Sequence, residues 1–409
     1  MNFYNIITRF TVLCFFCLLA CSQQQKNLSE SEFRNVVQQD SIANLYKADV
    51  AARKAIRLDT FFRNLQKSHG FNGTVLVAQY GKIIFKGAYG YKNLFFRDTL
   101  STATPFQLAS VSKQFTAVAI LQLAEKGLLS LDDPVGRFIE NFPYDGSITI
   151  RSLLTHRSGL PNYVYPLEKR YDRHKALSNY EVVQKLITYK PAPYFLPNRK
   201  FNYNNTNYVL LAYIVERLTG ESFRAYMEKN VFEPLGMKHS FIFDGSDPLR
   251  VQNEAATGYS GRKVSLGIDY LDSVTGDKSV YSTVEDIWKW DQALCSEKLL
   301  KQSTLQQAFI PAHDDRNLIT KNYGMGWRLQ LLPNGEWLTF HTGWWHGFKG
   351  YYLHNPKDRS AIIILENVAN HALAKVSTVQ AILYPEKASY FLKEPLEGNE
   401  DVEGQKLGN

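Results

Sequence analysis

Cysteine is scarce in this chain. It occurs four times in 409 residues, with Cys14, Cys17 and Cys21 close to the start and only Cys295 beyond them. A disulfide framework is therefore excluded for the main body, which has to be held together by core packing. No cluster of lysine and arginine interleaved with aromatics occurs either. The formal charge of +8 comes from scattered cations, the pattern of an ordinary solvated surface, and no nucleic-acid partner is expected. The nine histidines show no ligand spacing of the His-Glu-x-x-His kind, so neither a metal nor another cofactor is implied. No internal repeat is visible.

What is present is material for a large core: 44% apolar residues and 13% aromatics, a globular composition. Phe10 to Ala20, "FTVLCFFCLLA", is apolar but too short to span a bilayer as a stable helix, and has the size of a signal-peptide core. It ends in Leu18-Leu19-Ala20-Cys21, which resembles the lipobox of bacterial lipoproteins. The expected organisation is a signal peptide over 1–20, a polar tether over 21–55 that turns helical near the domain, one large domain over 56–390, and a disordered tail over 391–409. Cys21 is the expected lipidation site, which would anchor the protein in the bacterial cell envelope, facing the periplasm or the outer membrane. A plain secretory signal is the alternative.

The pattern along the domain is mixed. "GTVLVAQYGKIIFKGAYGY" carries two β-rich runs around Tyr80-Gly81, a hairpin signal. Helical patterns follow at 112–126, 148–157, 206–218, 221–230 and 282–294, the last opened by Ser282 and Glu285 at capping-box spacing. Strand signals then return in "GMGWRLQLL", "EWLTFHTG", "FKGYYLHNP" and "SAIIILEN", before a closing helix over about 371–383. Strands at both ends with helices between them predict an α+β fold. One antiparallel β-sheet is flanked by helices (56–105 and 275–390), and a mainly helical part (106–274) forms an all-helical subdomain. The cleft between the two parts is the expected site of chemistry.

One stretch is out of character with burial. "FQLASVSKQFTAVAI" puts Ser110, Ser112 and Lys113 at the start of a helix that is apolar nearly all round. Ser110 sits where free backbone N–H groups favour developing negative charge. Lys113, three residues on, shares its face and comes within reach of its hydroxyl. A lysine at the end of a buried helix can have its pKa lowered by desolvation, which leaves a neutral amine available to accept a proton. Nucleophile and activator are thus adjacent. A plain helix cap is the competing reading of Ser110. Ser260-Gly-Arg-Lys263 has the same spacing, but lies among glycines and lacks a buried helix.

Two further segments, "KFNYNNTNYVLLAYIVERLTG" and "TFHTGWWHGFKG", give the pattern its specificity. With the Ser110 segment they resemble the penicillin-recognising serine hydrolases, in particular the group of class C β-lactamases, D-alanyl-D-alanine carboxypeptidases and related esterases. The three signatures read Ser110-Val-Ser-Lys113, Tyr203-Asn-Asn205 and His341-Thr342-Gly343. "EKGLLSLDDPV", "ITIRSLLTHRSGLPNY", "VFEPLGMKHS" and "YGMGW" match as well, so the likeness covers roughly 60–370.

The resemblance implies a β-lactamase/transpeptidase-like fold and an acyl-enzyme mechanism without a cofactor. It implies that Ser110 attacks the carbonyl, that Lys113 helps to deprotonate it, and that Tyr203 is partner base and later acid. A free phenol ionises only near pH 10, so Tyr203 needs cations nearby, from Lys113 and His341. Asn205 would hold Lys113 and the substrate amide. The N–H groups of Ser110 and Trp344 would form the oxyanion hole. His341, Thr342 and Gly343 would line the strand edge where substrate lies.

The substrate so implied is a small amide or ester, with D-alanyl peptides ahead of β-lactams, and the protein is expected to be a monomer. β-Lactamase proper and a non-catalytic binder of wall fragments are the alternatives. Plainer readings exist for each residue: Asn205 as a helix cap, His341 as an exposed strand residue, Thr342-Gly343 as a strand end. The 155–159 stretch reads as a structural loop, with Asn162 and Tyr163 on the cleft wall. Two features depart from the family pattern. His stands at 341 where Lys is common, and Trp344-Trp345-His346 follows the Thr-Gly pair where a small residue is usual. Those two indoles would stack on a ring or narrow the cleft.

Overall fold

Tyr80 and Gly81 have positive φ angles of 55° and 72°, the sign combination of a two-residue type I′ turn. The turn joins β1 (Gly73–Gln79) to β2 (Lys82–Tyr89), antiparallel, with Gln79 opposite Lys82. The computed structural model describes residues 40–144, 146–165, 167–312 and 321–392. The leader with Cys21 and the tail beyond 392 lie outside the described residues. The described residues from Tyr46 to Leu392 form one compact unit, and a short helical turn at 40–43 belongs to a separate unit ending at Leu45.

The main sheet has seven strands. The five from the far end of the chain are β3 (Lys321–Tyr323), β4 (Arg328–Leu331), β5 (Trp337–Trp345), β6 (Phe348–Asn355) and β7 (Ser360–Glu366). Their order across the sheet is β3-β4-β5-β6-β7-β1-β2, antiparallel throughout. The two ends of the chain thus meet at β7 and β1, as strand signals at both ends require.

Alternation divides the side chains between two cores. Val75, Val77, Tyr351, Leu353, Ile362 and Ile364 face one way. They are covered by α1 (Ala48–His69), through Leu58, Phe62 and Leu65, and by α7 (Val376–Leu383), through Val379, Ile382 and Leu383. Each such side chain stabilises the fold by about 1.5–3 kcal/mol. Because α1 starts at Ala48 and buries Ala51, the helix begins within the stretch expected to be the end of the tether.

Leu76, Ala78, Ile363 and Leu365 face the other way, into the core shared with α2 (Lys113–Glu125), α5 (Asn205–Thr219) and α6 (Val284–Leu294). Helix α2 is buried from Lys113 through Leu123, as its apolar character predicts. A smaller three-stranded sheet, Phe106–Gln107, Val280–Ser282 and Phe241–Ile242, lies within this half. It arises from runs too short to register as strands. Between α2 and α5 lie α3 (Ile150–Leu154) and α4 (Asn179–Tyr189), and α4 was not anticipated. Helix α6 is capped by Thr283, whose hydroxyl accepts from the Asp286 N–H, rather than by Ser282.

Candidate active site

Ser110 lies in a tight turn over Ala109–Ser112 that runs directly into α2. Ala109 just before it has φ of 48°. A β-carbon there costs about 1–2 kcal/mol, so the turn is held by its surroundings. One turn on, the fully buried Lys113 points its amine at the serine and at two carbonyl oxygens. Its Nζ lies 3.0 Å from Ser110 Oγ, 2.9 Å from Asn205 Oδ1 and 3.0 Å from the Asp277 carbonyl oxygen.

The chemistry of those partners differs. Asn205 Oδ1 and the Asp277 carbonyl can only accept, whereas the Ser110 hydroxyl can also donate. A neutral amine has two N–H bonds and one lone pair. Directing the two N–H bonds at the two carbonyls leaves the lone pair facing the serine hydroxyl. The site therefore fits an amine that takes the proton of Ser110 and holds it in place.

Asn205 resolves between its two readings through its neighbour. Asn204 caps α5, its side chain accepting from the Thr206 N–H at 2.9 Å, which leaves Asn205, the first residue of the helix, for Lys113. The Tyr203 ring lies beside the same amine, with Lys113 Nζ 4.8 Å and the Arg328 guanidinium carbon 4.9 Å from its centroid. A permanent cation and an amine that becomes one on taking the Ser110 proton, both against one phenol ring, make a setting in which a proton can be taken and returned.

His341 has a different place from the one expected. Its imidazole is fully buried, with Nδ1 2.6 Å from the Thr342 carbonyl and Nε2 2.9 Å from the Tyr323 hydroxyl. A carbonyl requires a donor, so Nδ1 carries the hydrogen and Nε2 accepts from Tyr323. Burial, and then the charges of Arg328 and Lys113, push its pKa well below the ordinary value. His341 is therefore neutral. Its side chain braces the wall of the site, and the second cation beside Tyr203 comes from Arg328.

The backbone of β5 forms the other wall. β4 pairs with β5 only from Trp337 to Phe340, so residues 341–345 have no strand on that side among the described residues. This leaves a free edge for an extended acyl group. Thr342 lies on that edge. Gly343 faces the Ser110 turn so closely that a β-carbon would stand 2.4 Å from the Leu108 carbonyl and 3.2 Å from the Ser110 nitrogen. Only glycine fits.

Strand alternation also separates the two indoles. Trp344 is 37% exposed. Trp345 points with Gly343, its Nε1 donating to Asp272 Oδ1 at 2.6 Å and its ring 4.9 Å from Lys278 Nζ. The expected pair of stacking indoles is thus one exposed ring and one anchored ring.

The roles of several supporting residues escaped the sequence reading, although it does set Tyr163 on the cleft wall. His156, assigned to a structural loop, holds the backbone around Tyr203. Its Nδ1 accepts from the Asn204 N–H at 3.1 Å, its carbonyl accepts from Asn202 N–H at 2.9 Å, and its ring lies 4.3 Å from that of Tyr203. Burial keeps it neutral, its pKa pushed well below the ordinary value. Tyr163 is fully buried and donates to Asp277 Oδ2 at 3.1 Å, while Lys278 donates to its hydroxyl at 2.6 Å. Arg328 follows the "YGMGW" stretch. Treating β4 and β5 as a hairpin would have set it opposite Phe340, beside His341.

Comparison with known proteins bears on the family and the fold. The family model described as Beta-lactamase matches residues 58–382. Penicillin-binding protein 4* of Bacillus subtilis (strain 168) is 35% identical over 327 residues, which cover 77% of this chain and 72% of that protein. The octameric penicillin-binding protein homologue from Pyrococcus abyssi superposes with a TM-score of 0.69 at 26% identity, covering 81% of this chain and 76% of that one. The β-lactamase/D-alanine carboxypeptidase from Pseudomonas syringae shares the fold, with a TM-score of 0.68 at 19% identity and coverage of 84% and 99%.

Proposed function

The chain belongs to the Beta-lactamase family and is a serine hydrolase, and from that premise we propose that it acts through an acyl-enzyme formed on Ser110. The proposed substrates are small amides or esters, with D-alanyl peptides of cell-wall type ahead of β-lactams. The observation that carries this reading is the set of partners around Lys113 Nζ, with one hydroxyl and two carbonyl oxygens within 3.0 Å. The penicillin-binding name of the Bacillus relative supports the substrate class.

In this mechanism Lys113 takes the Ser110 proton as Oγ attacks the substrate carbonyl. The developing oxyanion is received by the N–H groups of Ser110 and Trp344, in a site where each such donor is worth about 2.7–4 kcal/mol. Tyr203, beside Lys113 and Arg328, passes a proton to the leaving amine or alcohol. Water then enters along the free edge of β5, and the same pair removes its proton in the reverse sense. A fluorophosphonate and a fluorescent penicillin should both label the peptide containing Ser110. A chain left unmodified by both reagents would overturn the reading in favour of a binding module. A screen of esters, D-amino-acid peptides and β-lactams on the labelled preparation ranks the substrate classes.

We also propose that the protein is held in the cell envelope by lipid on Cys21, as the "LLAC" stretch suggests, and that it is a monomer there. Cys21→Ala should release it from the membrane fraction, and continued membrane association would contradict the anchor. Light scattering of the detergent-solubilised protein decides the oligomeric state, for which the octameric Pyrococcus homologue is the contrasting precedent.

A further inference from the structure

The strand that forms the site's free edge ends in an unusual turn. Trp345 pairs with Phe348, which leaves His346 and Gly347 as a two-residue loop between β5 and β6. Their φ angles are 41° and 88°. Asparagine, aspartate and glycine suit such a turn, and histidine at its first position bears a steric cost. Something has to hold it there.

The imidazole lies between two carboxylates. Nδ1 is 3.2 Å from Asp272 Oδ2 and Nε2 is 3.5 Å from Asp269 Oδ2. Asp272 is only 2% exposed and links separate parts of the site. Its Oδ1 accepts from Trp345 Nε1 at 2.6 Å and from Gln107 Nε2 at 3.3 Å, and its Oδ2 accepts from the Asp269 N–H at 2.7 Å. Gln107 belongs to the short strand that leads into the Ser110 turn. One buried carboxylate therefore joins the end of β5 to the segment that delivers the nucleophile.

We propose that His346, bridging Asp272 and Asp269, is a positioning residue that holds the end of β5 in register with the Ser110 turn and so aligns the Trp344 amide with the serine. This inference rests on Ser110 being the nucleophile. Its argument is one of donors. Facing carboxylates with both ring nitrogens takes two N–H groups, which only the cationic imidazole has. The neutral ring keeps one, and leaves the second carboxylate facing a lone pair.

The surrounding charges set when the clasp is closed. Burial works against the cation, as does Lys278, which lies against the Trp345 ring and is itself bonded to Asp277 and Tyr163. The hydrogen bond to Asp272 and the charges of Asp272 and Asp269 work for it, and the net effect raises the pKa of His346 above the ordinary imidazole value. A raised folded pKa means that the clasp is fully present below about pH 6.5, the unfolded value. It is lost as pH rises through the folded one.

His346→Asn separates the two roles of the residue. Asparagine is favoured at this turn position, so the variant should fold with an unchanged or higher thermal midpoint above pH 8. It cannot make the bridge. Labelling of Ser110 by a fluorescent penicillin at pH 6 should be slower by about tenfold or more, as expected when reacting groups lose alignment. The ratio of wild-type to variant rate should then shrink toward one with rising pH. Asp269→Asn, which leaves the buried Asp272 in place, should show a smaller loss and a closing ratio at lower pH. Equal rates and equal pH profiles in wild type and His346→Asn would overturn this inference alone. A uniform loss at every pH would overturn it as well, because the loss would not follow the imidazole. A wild-type protein that labels with neither penicillin nor fluorophosphonate would overturn the reading of Ser110 and this inference with it.

Discussion

Asn205 Oδ1 accepts from Lys113 Nζ at 2.9 Å, across 92 residues of sequence. The helix cap that Asn205 would otherwise supply comes from Asn204. Two adjacent residues of one type thus divide a structural and a chemical duty. Asn205→Ala should leave thermal stability nearly unchanged while slowing acylation on the order of a hundredfold. Asn204→Ala should lower stability by about 1 kcal/mol through loss of the cap. Denaturation midpoints and labelling rates of the two variants, measured side by side, check the division.

Arg328 is the permanent cation beside Tyr203, 4.9 Å from its ring centroid. Arg328→Gln should slow acylation on the order of a hundredfold, and Arg328→Lys should recover part of the rate because it restores charge without the planar fork. Rates against pH for the three proteins test this. Equal rates in all of them would show that Lys113 suffices.

Two buried neutral imidazoles make the fold sensitive to acid. His341 and His156 have folded pKa values pushed well below the ordinary 6.5, so the unfolded chain binds protons that the folded one does not. Their contribution is present above about pH 6.5 and is lost as pH falls toward the folded values. The thermal midpoint should therefore drop below pH 6.5, and His341→Gln should flatten that drop. A midpoint independent of pH from 7 to 5 would contradict the assignment.

Glu366, at the end of β7, is fully buried, and burial pushes its pKa up to about 8 against the opposing charge of Lys349. The folded protein holds a proton here that the unfolded chain releases above about 4.3. Stability from this group is greatest in acid and declines as pH rises toward 8. Glu366→Gln should raise the thermal midpoint by several degrees at pH 9 and change it little at pH 5, as differential scanning calorimetry would report.

The parts of the fold that read easily from sequence are those in which local chemistry and tertiary contact agree. Tyr80-Gly81 announces a hairpin and makes one. The apolar girth of 113–124 announces a buried helix, and α2 is buried from Lys113 to Leu123. The Ser110, Lys113 and Asn205 constellation was legible because three short motifs kept their order and spacing. What escaped notice depends on facing across elements. Arg328 acts through the alignment of β4 with β5, and Asp277 through a backbone carbonyl that no side-chain pattern marks. His341 was expected to carry charge, but its surroundings of Arg328, Lys113 and Tyr323 exist only in the folded chain. The two tryptophans looked like a pair until strand alternation sent them to opposite faces of β5.

The most direct test is to mix the protein with a D-alanyl depsipeptide or thioester, quench within the first turnover, and measure the intact mass and the Ser110 peptide. A mass increment of one acyl group on Ser110, absent from Ser110→Ala and Lys113→Ala, is the predicted result. Turnover of the substrate with no acyl adduct at Ser110, or an undiminished adduct in Lys113→Ala, would contradict the account.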